Sequence, residues 1–193
     1  MFLPTTPEEF KKLGWDRADV LLVSGDSYID SPFIGTAVIG RALTQAGFRV
    51  GIIAQPDVTS SADIGRLGEP RLFWGVTGGS IDSMVANYTA SRKKRHSDDY
   101  TPGGVNDRRP DRAVIVYANL IRRYFKDTAP IVLGGIEASL RRVTHYDYWS
   151  DRLRRPILFD AKANYLLYGC LLYTSDGADE RVGGSFGRCV LCS

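Results

Sequence analysis

Ala129-Pro-Ile-Val-Leu-Gly-Gly-Ile-Glu-Ala-Ser-Leu-Arg-Arg142, followed closely by His145-Tyr-Asp-Tyr-Trp-Ser-Asp151, decides how the rest of the chain is read. Pro130 to Leu133 is a short apolar run rich in β-branched residues, and Gly134-Gly135 stops it. That pattern predicts a buried strand ending in a tight turn, with a helix starting near Glu137. In an open parallel sheet such a strand-to-helix turn lies where ligands and partners dock. The polar and aromatic cluster after it (Glu137, Arg141, Arg142, His145, Tyr146, Asp147, Tyr148, Trp149 and Asp151) is too dense for a solvated loop. A packed interface or a site wall is expected.

Working outward, the same grammar repeats. Thr6 is a plausible N-cap with Pro7 at the first helical position and Glu8-Glu9 in the first turn, so a short helix opens the chain. Ala18 to Val23 is a buried strand ending in Ser24-Gly25-Asp26. Pro32 to Ala46 is a helix with Ile34, Val38, Ile39, Ala42 and Leu43 on one face, closed by Gly47. Phe48 to Ala54 is a second strand, which completes a right-handed βαβ unit and makes the sheet parallel. A third strand, Arg71 to Thr77, turns at Gly78-Gly79 into a helix from about Ile81 to Tyr88. Arg112 to Phe125 carries the i, i+3, i+4 spacing of an amphipathic helix, and Asn164 to Tyr168 is a fifth strand. The expected fold class is α/β: a Rossmann-like or flavodoxin-like open parallel sheet of about five strands with helices on both faces. Ser91 to Arg109 lacks apolar periodicity, and a structureless loop of that length is usually functional or mobile.

The chain has 193 residues, 44% of them hydrophobic, enough for one sizeable core. No apolar run approaches the ~20 residues of a membrane span, so a soluble, cytoplasmic protein without a membrane partner is expected. The net charge of +3, from 25 basic and 22 acidic residues, does not point to nucleic acid. The Arg92-Lys-Lys-Arg95 run, with Asp98-Asp99 beside it, reads as a solvated loop rather than an RNA contact.

Ile136-Glu-Ala-Ser-Leu-Arg-Arg142 with His145-Tyr-Asp-Tyr-Trp-Ser-Asp151 resembles the signature of the YgiQ-type (UPF0313-like) radical S-adenosylmethionine proteins. The resemblance continues through Phe2-Leu-Pro-Thr-Thr6, Gly25-Asp-Ser-Tyr-Ile-Asp30, Gly51-Ile-Ile-Ala-Gln-Pro56, Asp82-Ser-Met-Val85, Tyr88-Thr-Ala90, Tyr100-Thr-Pro-Gly-Gly104, Arg109-Pro-Asp-Arg-Ala-Val-Ile-Val-Tyr117 and Leu167-Tyr-Gly169, and so covers Met1 to Gly169 in order. It implies that residues 1–169 are the N-terminal α/β domain of a longer enzyme. In that parent a Cys-x3-Cys-x2-Cys triplet would hold a [4Fe-4S] cluster whose open iron binds S-adenosylmethionine. Neither triplet nor barrel is present in this chain, so no cofactor, metal or catalytic residue is assigned to it. The domain's implied role is to cover one end of its own downstream barrel and help shape the site of an unknown substrate.

The sheet also resembles the α/β domain that precedes the barrel in cobalamin-dependent radical enzymes. The Asp-x-His-x-x-Gly motif that binds cobalt in those proteins is missing, and cobalamin is not expected. His96 and His145 read as a solvated and a hydrogen-bonded structural residue. All three cysteines, Cys170, Cys189 and Cys192, lie in the last 24 residues. Cys189-Val-Leu-Cys192 has metal or redox spacing. However, Cys170-Leu-Leu-Tyr-Thr-Ser-Asp-Gly-Ala-Asp-Glu180 resembles, with Gly177 as the one departure, the translation of a transposase adapter used in preparing sequencing libraries. Residues 170–193 are therefore expected to be a non-native, disordered tail.

The candidate substrate or interface edge comprises Asp26, Tyr28, Asp30, Asp82, Glu137, Arg141, Arg142, His145, Tyr146, Asp147, Trp149 and Asp151. Its acidic members have the composition of an acid and base pair or, more plainly, of helix caps and arginine partners. A competing reading is a stand-alone Rossmann-like module that holds a nucleotide or other phosphorylated small molecule on the N–H groups of Gly78-Gly79 and Gly134-Gly135, although neither turn matches GxGxxG or a Walker loop. A third is a purely structural interaction domain with an apolar patch around Tyr146, Tyr148 and Trp149.

Overall fold

The computed structural model describes residues 2–169. The tail from 170 to 193, with its three cysteines and the disorder expected of it, lies outside the described residues. Five strands form one parallel sheet: β1 (Val20–Ser24), β2 (Val50–Ala54), β3 (Phe73–Thr77), β4 (Ile131–Gly134) and β7 (Tyr165–Leu166), in the order β2-β1-β3-β4-β7. Counting these strands alone, this is the flavodoxin-like 2-1-3-4-5 order. Between β4 and β7 a separate antiparallel ribbon pairs β5 (His145–Asp147) with β6 (Arg152–Arg154). The helices are α1 (Pro7–Lys12), α2 (Gly35–Gln45), α3 (Ser83–Asn87), α4 (Ala113–Tyr124), α5 (Gly135–Leu140) and α6 (Ile157–Asp160).

Local chemistry sets these boundaries as the sequence predicts. Thr6 and Glu9 close a capping box around the start of α1, with Pro7 in its first turn. Gly47, at φ 92°, supplies the left-handed residue just past α2. Asp82 caps α3 by accepting the Met84 and Val85 N–H groups.

The two faces of the sheet are covered unequally. Right-handed crossovers put the β1-to-β2 connection, α2, on one face. Every later connection runs the other way along the sheet and lands on the opposite face. There Leu21, Val23, Ile53, Trp74, Val76, Ile131, Leu133 and Leu166 pack against Val114, Tyr117, Leu120 and Ile121 of α4, with Phe10, Ile64, Ala138 and Ile157 around them. The α2 face holds a smaller cluster of Leu3, Val20, Leu22, Val50 and Ile52, which Ile39 and Leu43 cover only in part. On β3 and β4 burial alternates residue by residue, and Phe73, Gly75, Thr77, Val132 and Gly134 are the less buried set.

The apolar stripe expected on α2 therefore behaves differently from the expectation. Thr36, Ala37 and Gly40 are the helix's buried residues, while Ile34, Val38, Ile39, Ala42 and Leu43 stay half-buried. Gly40 lies so close to Leu3 that a side chain there would collide with it, so the helix rests on its small residues and the larger ones overhang the sheet.

Candidate functional site

The strand order reverses at β1, and a doubly wound domain usually takes its ligand in the crevice beyond that point. Here the chain's own side chains crowd it, although Ser24, Asp26, Thr77, Gly79 and Ser80 at the ends of β1 and β3 also line one end of a cavity that runs under α2. The ends of β1 and β3 approach so closely that a side chain at Gly25 would strike the Gly78 carbonyl. Asp26 is buried just beyond. It accepts the Ser80 N–H at 2.5 Å and pairs with the Arg109 guanidinium at 2.7 Å. Arg109 is also buried. It reaches Asp98 at 3.1 Å and donates from Nε to the Gly25 carbonyl at 3.1 Å, which leaves Nη1 without a partner. Gln55, at the uncommon φ of 44°, donates to the Gly25 carbonyl and to Thr101 Oγ1, and Thr101 in turn donates to Asp98. Burial pushes the Asp26 carboxyl up, and the bonds from Ser80 and Arg109 draw it partly back.

These bonds involve the 91–109 segment, which carries no regular element beyond isolated bridges such as Ser97 to Val105. Its aperiodic sequence suits this role, because it is pinned by buried polar groups rather than by an apolar stripe. Sequence reasoning missed Arg109 and Gln55 as participants, whereas Asp98 and Thr101 fall in the Ser91–Gly104 stretch that it expected to help form this edge. The only signal was paired acids and an arginine inside a stretch with no apolar period.

One strand along, Glu137 is almost wholly buried and its carboxyl is shared by two helix starts. Its Oε2 accepts the Ser83 N–H at 3.0 Å in the first turn of α3, and its Oε1 accepts the Val114 N–H at 3.2 Å in the first turn of α4. Burial, then the nearby Asp82 charge, push its carboxyl up. Asp82 pairs with Arg141. Arg142 donates to the Ser139 carbonyl and lies 5.0 Å over the Tyr168 ring.

The ribbon is bound in the same manner. Asp147 accepts from Arg112 at 2.5 Å and from the Ser150 hydroxyl. Burial would raise its carboxyl, but these bonds outweigh burial and hold it at about 2. Arg92 donates to the Tyr148 carbonyl and lies 4.5 Å over that ring, while Tyr148 Oη donates to the Ala90 carbonyl. Trp149 packs on Tyr88 with ring centroids 5.4 Å apart, and Tyr146 bonds Asp151. His145 Nδ1 sits 3.0 Å from the Val143 carbonyl, with Nε2 buried and unpartnered. The structure thus joins the 91–109 segment to the ribbon. Tyr28 and Asp30 are tied elsewhere: Tyr28 Oη accepts the Leu3 N–H, and Asp30 pairs with Arg41 of α2. Of the basic run, Arg92 and Arg95 are both bonded to backbone carbonyls of the domain itself.

At this end of the sheet the carboxylates are turned inward and the apolar side chains outward. Ile136 and Leu140, one turn apart on α5, are 44% and 58% exposed, and Leu153 on the ribbon is 74% exposed. The glycine turns offer no free phosphate cradle at β3. The Ser80 and Ser83 N–H groups already bind Asp26 and Glu137, and a side chain at Gly78 or Gly79 would collide with those same carboxylates. Among the described residues no group of three or more His, Cys, Asp or Glu is placed to hold a metal ion. Residues 2–169 contain no cysteine, so the thiolate set that a [4Fe-4S] cluster requires does not fit this part of the chain.

A flavodoxin-like parallel sheet whose carboxylates are held in internal bonds defines the class as an α/β domain. The sequence matches the family described as Radical SAM N-terminal over residues 2–172, and the chain belongs to that family. It is 64% identical over 169 residues to a UPF0313 protein of Fusobacterium nucleatum, covering 87% of this chain and 30% of that one. A UPF0313 protein of Thermotoga maritima is 63% identical over 169 residues, with 88% and 30% covered. One from Rhodopseudomonas palustris is 60% identical over 168 residues, with 87% and 25% covered. The chain thus spans less than a third of the length of these relatives and is the N-terminal part of a UPF0313 protein. No solved structure matches it.

Proposed function

We propose that this chain is the leading domain of a radical S-adenosylmethionine enzyme. In this reading the [4Fe-4S] cluster and the S-adenosylmethionine site lie in a downstream barrel of the cytoplasmic parent, outside residues 1–169, and residues 170–193 are not part of the native sequence. The domain lays its carboxyl edge against that barrel. The arrangement of that edge supports the role most directly: Asp26, Asp82, Glu137 and Asp147 are consumed in internal bonds, whereas Ile136, Leu140, Val143, Tyr146 and Leu153 face outward. An edge of that composition is suited to covering another protein surface and poorly suited to acid and base chemistry of its own. The domain then shapes the substrate site from one side without supplying the radical.

The test uses a full-length relative purified without oxygen. About four iron and four sulfide per chain, with reductive formation of 5′-deoxyadenosine, are expected. The double variant Ile136→Asp/Leu140→Asp, introduced where these residues align, should keep the cluster yet lose coupling between S-adenosylmethionine cleavage and substrate turnover. A full-length protein without a cluster, or a variant with unchanged coupling, would overturn the reading.

A further inference from the structure

The less covered face of the sheet carries a mostly apolar groove of about 490 Å³, bounded by Ile39 and Leu43 of α2 on one side and by Phe73, Val132 and Leu167 along the strands, and reaching Ser24, Asp26 and Ser80 beyond the carboxyl ends of β1 and β3. Gly75 and Gly134 form part of its floor. All-parallel sheets are found almost only with both faces covered, and among the described residues α2 covers β1 and β2 while β3, β4 and β7 are left open on this side. The opposite face is already filled by α4, α5 and α6, so nothing more can be added there over these strands.

We propose that the groove seats the polypeptide that follows residue 169 in the full-length protein. That segment would be folded as an amphipathic helix returning across β7, β4 and β3 beside α2. Three observations point to this occupant. In the order β2-β1-β3-β4-β7 the described chain covers β1 and β2 on the α2 side, and a parallel sheet needs cover over the remaining strands as well. The described chain leaves the sheet at the groove itself: Leu167 lines it and donates its N–H to the Leu133 carbonyl. The family's chains run on well beyond this point, since the matched stretch is only 30% of the Fusobacterium protein. Strands of four to five residues span roughly 15 Å, so a helix of about 10–12 residues covers them. Beside α2 it would lie at the ~8–10 Å separation of packed helices. This inference rests on reading the chain as the leading part of a longer protein, but it does not depend on what chemistry that protein performs.

The test replaces the matched stretch of the Fusobacterium relative with residues 1–169 of this chain and compares the full-length hybrid with the 193-residue chain. Both carry Val132→Cys as a reporter in the groove and, separately, Lys12→Cys as an exposed control on α1. Residues 1–169 have no cysteine of their own, so maleimide labelling of each reporter is read by peptide mass spectrometry. Relative to the control, labelling at 132 should fall at least tenfold in the hybrid. Adding Gly134→Leu should restore it, because a side chain at 134 meets nothing within 4 Å in the domain and so obstructs only the occupant. Unchanged circular dichroism shows that the variants fold. Equal labelling in the two proteins overturns the proposal, as does protection that appears in the 193-residue chain only as its concentration rises, which would assign the groove to a second copy. A hybrid that closes the groove but holds no iron would refute the functional reading and leave this one standing.

Discussion

The two faces of the central sheet were assembled from different distances along the chain. One is sealed by α4, α5, α6 and the 56–72 connection, all of them crossovers between strands of the sheet, and it buries Trp74, Tyr117 and Leu133 completely. Among the described residues the other has α2, with Leu3 and Tyr28 beside it, and ends in a groove. Right-handed crossovers explain both, since each step away from β1 toward β7 adds cover to the same face.

The largest contrast between the faces is in stability. Trp74→Ala should cost about 3–5 kcal/mol, because it empties a filled site and strands Thr128, whose hydroxyl accepts the indole N–H at 2.8 Å. Its neighbour Phe73→Ala, pointing into the groove, should cost roughly 1 kcal/mol, since that side chain keeps part of its surface in water. Urea unfolding of the 193-residue chain reads both, and equal losses would mean that the groove is packed shut in solution.

Next in size is the buried carboxyl beneath the closed face. Glu137→Ala leaves the first-turn N–H groups of Ser83 and Val114 unpaired in the interior and should cost about 3 kcal/mol. The ribbon supplies a pH-dependent contribution. Asp147 is held at about 2 against an ordinary 3.8, so its pairing stabilises by about 2 kcal/mol above pH ~4, and this contribution is lost as the pH falls toward 2. Asp147→Asn should remove that part of the acid sensitivity, measured as the unfolding midpoint between pH 5 and 2. The smallest effect belongs to the open face: Gly134→Val, at an extended φ of −155° with free space around it, should change the stability of the 193-residue chain by less than about 0.5 kcal/mol.

The sheet was legible because its strands are short apolar runs punctuated by Gly, Asp and Pro, and because Thr6, Gly47 and Asp82 are strong local caps. Much of the edge was not legible. The β5–β6 ribbon is three residues a side and alternates charge with aromatics, so it carries no hydrophobic period. Its place is set by Arg112, Arg92 and Tyr88, which lie far away in sequence. Glu137 and Asp26 were picked out by composition, but only geometry revealed that helix N–H groups and Arg109 already occupy them. The half-buried stripe of α2 read as core because a sequence shows that a face is apolar, not what covers it.

On the readings proposed above, the rest of the polypeptide covers both the carboxyl edge and the α2-side groove of this domain. Hydrogen exchange of residues 2–169 in the 193-residue chain and in the full-length hybrid tests it most directly. The account predicts slower exchange in the hybrid at α5, the β5–β6 ribbon, β4 and β7, with α4 unchanged. Identical exchange at all of these elements would contradict it.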